Sequence, residues 1–280
     1  MINSNGTFSS TEEANFKYTN RGLLYGDAVF ETIKVVNTKL LFWEDHYFRL
    51  MASMRILRMQ IPGTFTPEYL EYQLKETIKA SQLEDKPCRV RLTVYRDGEG
   101  KYLPETNNVA FFAFAKAIPS PFYIIDERPY EVELYKDHYL SADLLSTLKT
   151  TNKAIQILGS IYAKENNYDS CLVLNTSKNV VEGLSGNLFM VSGNTIKTPP
   201  LSEGCLRGII RKQLLSFKAL DDYELIEAPI SPFELQKADE LFLTNVITGI
   251  QPITKYRRKA YKNTVANALL KKLNIKARLG

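Results

Sequence analysis

Histidine is scarce in this chain, with only His46 and His138 among 280 residues. That excludes chemistry built on a histidine cluster and a metal held by several imidazoles, and no metal site is expected. Cysteine is scarce too. Cys88, Cys171 and Cys205 are odd in number, far apart and never spaced CxxC. Neither a disulfide framework nor a zinc site is expected, and a reducing cytosol is the expected setting, giving a cytoplasmic assignment. No apolar run approaches the roughly 20 residues of a membrane span, so no membrane association is expected. The opening stretch MINSNGTFSSTEEANF has no apolar core of a secretory signal. Long blocks of like charge are also missing, which argues against disorder. The net charge of +5 is mild and spread along the chain. It suits a small anionic ligand, a phosphate or a carboxylate, and not a nucleic acid.

What is present is enough apolar material for a large core: 44% of the residues are apolar and 11% of the chain is aromatic. Residues 28–36 (AVFETIKVV) and 38–43 (TKLLFW) read as strands joined at Asn37. Residues 43–57 turn helical, with Tyr47, Leu50, Met51 and Met54 on one face and His46, Arg49 and Ser53 on another. Thr66-Pro67 opens a second helix with an apolar stripe of Leu70, Leu74 and Ile78. Residues 88–95 (CRVRLTVY) alternate strictly, and 108–115 form a buried strand. Two prolines in IPSPF mark a linker. The expected organisation is a smaller N-terminal α/β domain over 1–117, a linker over 118–122 and a larger domain over 123–280.

In the second domain, 130–136 reads as strand, 153–166 as helix, 170–198 as a β-meander and 207–220 as a helix opening at Gly208. Ser231 to Glu234 is a capping box. Residues 239–247 read as strand, Lys255 to Lys259 as a hairpin turn and 261–273 as a terminal helix. Helices and strands mix without regular βαβ alternation, which predicts a mixed α/β (α+β) protein and not a doubly wound sheet.

Three features carry chemistry together that none carries alone. Lys149, in LSTLKTTNKA, follows an apolar run and precedes a helix, and a lysine amine can form a Schiff base with a carbonyl cofactor. Glu182 sits at a strand end in VVEGLSGNLFMV, where a carboxylate can hold a pyridine nitrogen protonated. Gly208 opens a helix in CLRGIIRKQLL, and a helix start binds phosphate. These are the protein contributions that pyridoxal 5′-phosphate requires.

At these residues the chain resembles the class IV (fold type IV) pyridoxal-phosphate enzymes. That group includes branched-chain aminotransferases, D-amino-acid aminotransferases and 4-amino-4-deoxychorismate lyases. The signature runs from Glu182 through Leu184, Asn187-Leu188-Phe189, Ile196, Thr198, Leu206, Gly208 and Ile209 to Arg211. NRGLLYGDAVFETIKV and HYFRLMAS match upstream motifs.

The resemblance implies a C-terminal β-rich pseudo-barrel with flanking helices and a homodimer whose pocket is completed by a partner loop. It implies Lys149 as Schiff-base lysine and proton shuttle, and Glu182 at the pyridine nitrogen, with Asn187 bracing Glu182 or the ring hydroxyl region. It places the phosphate on Arg49 and the backbone of Gly208, Ile209 and Ile210, closed by Asn245, Val246 and Ile247. It puts Phe30, Glu31, Arg91 and Arg96 toward the substrate, an amino acid or aminodeoxychorismate. Gly26-Asp27 reads as turn architecture.

Departures bear on the reaction. Many transaminases of the class have threonine where Ile210 stands and a hydroxyl near Val246-Ile247, and those losses look closer to the lyases. Lys149-x-x-Asn152 resembles the D-amino-acid and lyase form, yet DGEGKYLP lacks the arginine-histidine pair of the D-amino-acid enzymes. An amino-acid aminotransferase is the first expectation, the lyase the second and a non-catalytic relative a distant third.

Overall fold

A computed structural model describes residues 1–217 and 223–279, and divides the chain into two units. The first is Met1–Pro121 together with Lys149–Asn152, and the second is Phe122–Leu148 with Lys153–Leu279.

In the first unit the elements are β1 (Ile2–Ser4), β2 (Thr7–Ser9), α1 (Arg21–Tyr25), β3 (Ala28–Val36), β4 (Lys39–Leu40), α2 (Trp43–Ile56), α3 (Pro67–Ala80), β5 (Cys88–Arg96) and β6 (Val109–Ala117). The strands form one antiparallel sheet in the order β2-β1-β6-β5-β3-β4. Ile33 and Val35 of β3 and Val90, Leu92 and Val94 of β5 pack into one buried cluster. Leu50, Met51 and Met54 of α2 and Leu70, Leu74 and Ile78 of α3 complete it. The helical stripes read from sequence are therefore the faces that the sheet buries. Thr66 caps α3 by accepting from Tyr69 N–H at 3.1 Å, and Pro67 occupies its first turn.

The strand expected over 38–43 shrinks to two residues. Asn37 and Thr38 both take positive φ, as a tight hairpin turn demands, and Phe42 does so again before α2 begins at Trp43. The apolar run there serves the helix start and not a long strand. The face of α2 carrying His46, Arg49 and Ser53 is also buried.

Lys149–Asn152 joins this unit by backbone pairing. Phe30 N–H donates to Lys149 O at 2.9 Å and Thr151 N–H to Ala28 O at 3.0 Å, with Val29 and Thr150 bridged antiparallel.

The second unit holds β7 (Glu131–Leu140), α4 (Ala154–Glu165), β8 (Ser170–Asn175), β9 (Val180–Gly183), β10 (Gly186–Ser192), β11 (Thr195–Thr198), α5 (Ile209–Leu215), β12 (Glu224–Glu227), α6 (Pro232–Leu235), β13 (Glu240–Asn245), β14 (Gly249–Ile253), β15 (Lys255–Tyr256), β16 (Lys259–Ala260) and α7 (Thr264–Leu279). β8 to β11 form the expected antiparallel meander. β7 pairs in parallel with both β8 and β15, and β11 in parallel with β12, so the sheet is mixed. β13 docks on β10 and β14.

The capping box at Ser231 is present, and KYRRK forms the β15–β16 hairpin, turning at Arg257 with φ 55°. The terminal helix runs longer than the apolar stripe suggested. Its start is held by Glu240, which accepts from Val265 and Ala266 N–H. The last three residues of the helix expected over 207–220 lie outside the described residues. The fold is mixed α/β, as the sequence predicts.

Candidate active site

In the first unit, the alternation of β3 sends neighbouring side chains to opposite faces. Phe30 faces outward, where Lys149 Nζ lies 4.5 Å from its ring centroid and the Arg91 guanidinium 3.7 Å from it. Cations at that distance are attracted to the negative face of the ring. Arg91 Nε–H also donates to Thr93 Oγ1 at 3.3 Å. Three residues expected around the reaction, Phe30, Arg91 and Lys149, thus converge on one ring.

Glu31 faces the other way. It is buried, accepting from Arg49 Nε–H at 2.8 Å, from Arg49 Nη2–H and from His46 Nδ1–H at 2.6 Å. The expectation of Glu31 as a substrate-lining residue is corrected by this geometry. One step along a strand moves a side chain through the sheet, so Glu31 serves as the counter-ion that orients Arg49.

Burial alone would raise the Glu31 carboxyl. The charges and hydrogen bonds of Arg49 and His46 overcome that and hold it at about 2. His46 is lowered chiefly by burial, against the opposing pull of Glu31. Its Nε2 is buried without a hydrogen-bond partner among the described residues, an orphan of the kind that a bound group or ordered water satisfies.

Arg96 is likewise corrected. Its Nε–H donates to Asp27 at 2.9 Å, Nη1–H to Asn107 Oδ1 at 2.6 Å and Nη2–H to Leu57 O at 2.7 Å. Asp27 also receives Arg21 Nε–H at 3.0 Å, and Arg21 Nη1–H donates to the carbonyls of Gly100 and Lys101. Buried guanidinium groups use their donors on whatever acceptors enclose them. Arg96 and Arg21 therefore fix the loop after β5, and Asp27 does more than turn the chain.

In the second unit the signature residues meet at one peptide. Leu206 N–H donates to Glu182 Oε2 at 2.8 Å, and Leu206 O accepts from Asn187 Nδ2 at 2.8 Å. Glu182 and Asn187 are themselves opposite one another in the β9–β10 ladder. Asn187 thus braces Glu182 through the shared Leu206 peptide.

Two residues on, Gly208 is the N-cap of α5 and makes no side-chain cap hydrogen bond. The first-turn amides of a helix have no intrahelical acceptor. A Cβ at Gly208 would meet Asn187 Oδ1, so a larger residue there would have to displace the Asn187 side chain from its bond to Leu206 O. Ile209 and Ile210 turn their side chains into the core. An uncapped helix start beside a buried carboxylate suits a group carrying both a phosphate and a cationic nitrogen.

Asn245 Oδ1 accepts from Ile247 and Thr248 N–H, both at 3.0 Å, and Tyr123 O–H donates to Val246 O at 3.1 Å. The 245–249 loop is thereby shaped from within. The side chain of Asn245 serves the loop, and the amide of Ile247 is engaged by it, so the expected donor role narrows to the loop's position.

Sequence reasoning passed over Lys153, the N-cap of α4. Burial lowers its amine and the negative charge of Glu182 pulls it back up. Nothing in TTNKA signalled that proximity, because it depends on where β9 runs.

Within this fold, a lysine over an aromatic ring, an arginine oriented by a buried glutamate, and a carboxylate tied to an uncapped helix start define the fold type IV class. The family model for amino-transferase class IV matches residues 28–256, and the chain belongs to that family. A protein of Methanocaldococcus jannaschii named as a branched-chain-amino-acid aminotransferase is 29% identical, over 97% of this chain and 93% of its own. The aminodeoxychorismate lyase of Vibrio harveyi is 24% identical over 84% of each chain. The crystal structure of the branched-chain aminotransferase of Thermoproteus uzoniensis with norvaline superposes with a TM-score of 0.85. It is 25% identical and covers 99% of this chain and 93% of its own. Enzymes of this family depend on pyridoxal phosphate, and both kinds of relative named above are enzymes.

The Glu31 cluster has a measurable pH signature. A carboxyl held below its unfolded value contributes stability above about pH 4.5 and loses it as pH falls toward 2. Glu31→Gln should destabilise the protein by about 3–5 kcal/mol near pH 6, because it leaves the Arg49 charge buried without its partner. In urea titrations the gap between wild type and variant should narrow steadily as pH drops from 5. A gap independent of pH would show that Glu31 is not the ionised anchor of Arg49.

Proposed function

We propose that the enzyme transfers the amino group of an amino acid to a 2-oxo acid, using pyridoxal phosphate. The observation that carries this reading is Lys149, whose Nζ is presented over Phe30 at 4.5 Å on a segment paired to β3.

Pyridoxal phosphate supplies an aldehyde that condenses with amines and a ring that accepts electrons. Lys149 would hold the cofactor through its amine and, once the substrate amine has taken that place, its free amine would move the proton from the substrate Cα. Glu182 would keep the ring nitrogen protonated, and its bond to Leu206 N–H holds the carboxylate in place. Arg49, its fork oriented by Glu31, and the amides at the start of α5 are each suited to a phosphate. Arg91 receives the substrate carboxylate, with Phe30 beneath it.

A second reading, an aminodeoxychorismate lyase, rests on specific residues. Ile210 and the Val246-Ile247 pair offer no side-chain hydroxyl to a phosphate. The similarity to the Vibrio harveyi lyase points the same way. Both readings use the same lysine and glutamate, and they differ in whether the substrate loses an amino group or pyruvate.

We also propose a homodimer. Tyr18, Leu23, Tyr102 and Leu103 are 74–92% exposed in the first unit, and the rings of Tyr25 and Tyr102 lie 6.1 Å apart. Exposed apolar side chains grouped in this way are characteristic of surfaces covered by a partner. The three free cysteines are buried, which fits a reducing cytoplasm.

Borohydride reduction of the holoenzyme should fix the cofactor on Lys149, and Lys149→Ala should remove turnover while preserving the thermal transition. A label on Lys153 instead would overturn the assignment. Incubation with amino acid plus 2-oxoglutarate should yield the new amino acid, whereas release of 4-aminobenzoate from aminodeoxychorismate without an acceptor would establish the lyase. Sedimentation should return a dimer, with Leu103→Glu shifting it toward monomer; a monomeric wild type would remove the dimer proposal.

A further inference from the structure

α4 begins with a cation in a place that disfavours one. Lys153 is its N-cap, makes no side-chain capping bond, and is followed by no acidic residue in the first turn. The start of a helix carries partial positive charge, so an ammonium there is repelled. Lys153 is also half-buried, and burial lowers its amine. Among the described residues that amine has no hydrogen-bond or ion-pair partner. The charge that acts on it is the Glu182 carboxylate, which pulls it back up. An amine so placed is one that a bound anion would relieve.

Packing brings Lys153 and Glu182 together independently of their charges. α4 lies against β7 and β8. Ile155, two residues after Lys153, and Leu184, two residues after Glu182, belong to one cluster around Tyr135, Ala163 and Cys171. Gly159 lets the helix seat on Leu184, because a Cβ there would stand 2.5 Å from Leu184 Cδ2. Glu182 is fixed in turn by Val173, its ladder partner on β8, and by Leu206 N–H. The start of α4 and the end of β9 are therefore neighbours, with a cation on one and an anion on the other.

The ring of pyridoxal phosphate has the complementary pattern. It carries a protonated nitrogen and, on the ring carbon next but one to that nitrogen, an oxygen that ionises to an oxyanion. On the reading given above Glu182 takes the nitrogen, and the phosphate has donors of its own. The ring oxygen is the anion that remains. We propose that Lys153 is the positioning residue for that oxygen, its ammonium holding the oxyanion while Glu182 holds the nitrogen. The inference rests on the reading of Glu182 as the residue at the ring nitrogen.

The test compares two cofactors in binding, so it does not depend on turnover. Apoenzyme is titrated with pyridoxal phosphate and with 3-deoxypyridoxal phosphate, which has hydrogen in place of the ring hydroxyl. Lys153→Met removes no capping bond and keeps the reach of the side chain, and its thermal transition checks that it folds. It should weaken pyridoxal phosphate by roughly tenfold or more, as loss of a charge-assisted hydrogen bond does, and leave the deoxy analogue within about twofold of wild type. Lys153→Arg should retain most of the affinity for pyridoxal phosphate. The visible band of the holoenzyme gives a second signature. Losing a nearby positive charge makes protonation easier, so the pH at which that band titrates should rise by about one unit or more in Lys153→Met. Equal weakening of the two cofactors, no weakening of either, or a band that titrates at an unchanged pH overturns the role of Lys153. Glu182→Gln reads the underlying assignment separately, because both cofactors carry the ring nitrogen and both should weaken alike. Unchanged affinity for both in that variant would sink the Glu182 reading whatever Lys153→Met does.

Discussion

The constraint on which the first unit's chemistry depends is a pair of backbone hydrogen bonds. Phe30 N–H to Lys149 O and Thr151 N–H to Ala28 O bind a four-residue segment to the start of β3 as if it were a short extra strand. A lysine on a loop would sample many rotamers at an entropic cost on the order of 2 kcal/mol whenever it had to be positioned. Lys149 instead inherits its placement from a strand that is buried on both sides of Phe30. The pairing also fixes which residues it can meet. Phe30 and Arg91 lie beside it, and its charge is also felt by His46 of the buried Glu31–His46–Arg49 cluster. One register therefore specifies both the ring beneath the amine and the anchor of the arginine.

The second unit solves its positioning problem differently. Leu206 contributes no side-chain chemistry, yet its N–H and C=O are claimed by Glu182 and Asn187. Those two residues are joined across the β9–β10 ladder. Carboxylate, amide and helix start thus become one rigid assembly. That explains why the signature includes a leucine two residues before Gly208: what matters there is a peptide of fixed orientation. The collision that any Cβ at Gly208 would make with Asn187 is the steric counterpart of the same arrangement.

Much of this was legible in the sequence, for physical reasons that differ by element. α2 and α3 showed because their apolar stripes follow the helical period, and β5 because it alternates with period two. The meander showed because its turns carry Ser-Lys-Asn and Ser-Gly-Asn. The parallel pairings of β7 and β12 did not show, since neither strand carries a mark of its partner. α1 was missed because five residues hold too little pattern. Its cap, Asn20 accepting from Leu23 N–H, is a local contact hidden within a strand-like motif. Among candidate site residues, Lys149, Glu182 and Gly208 stand out in the sequence as a set because one cofactor would require all three. Glu31 and Arg96 were misplaced because facing and enclosure are tertiary facts: β3 turns Glu31 inward, and Asp27, Asn107 and the Leu57 carbonyl enclose Arg96.

This separation between parts that hold a cofactor and parts that choose a substrate has a physical basis. Holding requires short, satisfied hydrogen bonds on buried groups, and those are visible as the Glu31 cluster and the Leu206 peptide. Choosing requires exposed or half-buried charge that can exchange water for a ligand. Groups of the first kind tolerate little change, because removing one partner strands a buried charge. Groups of the second kind can change sign or size at small cost to the fold, because solvent screens them.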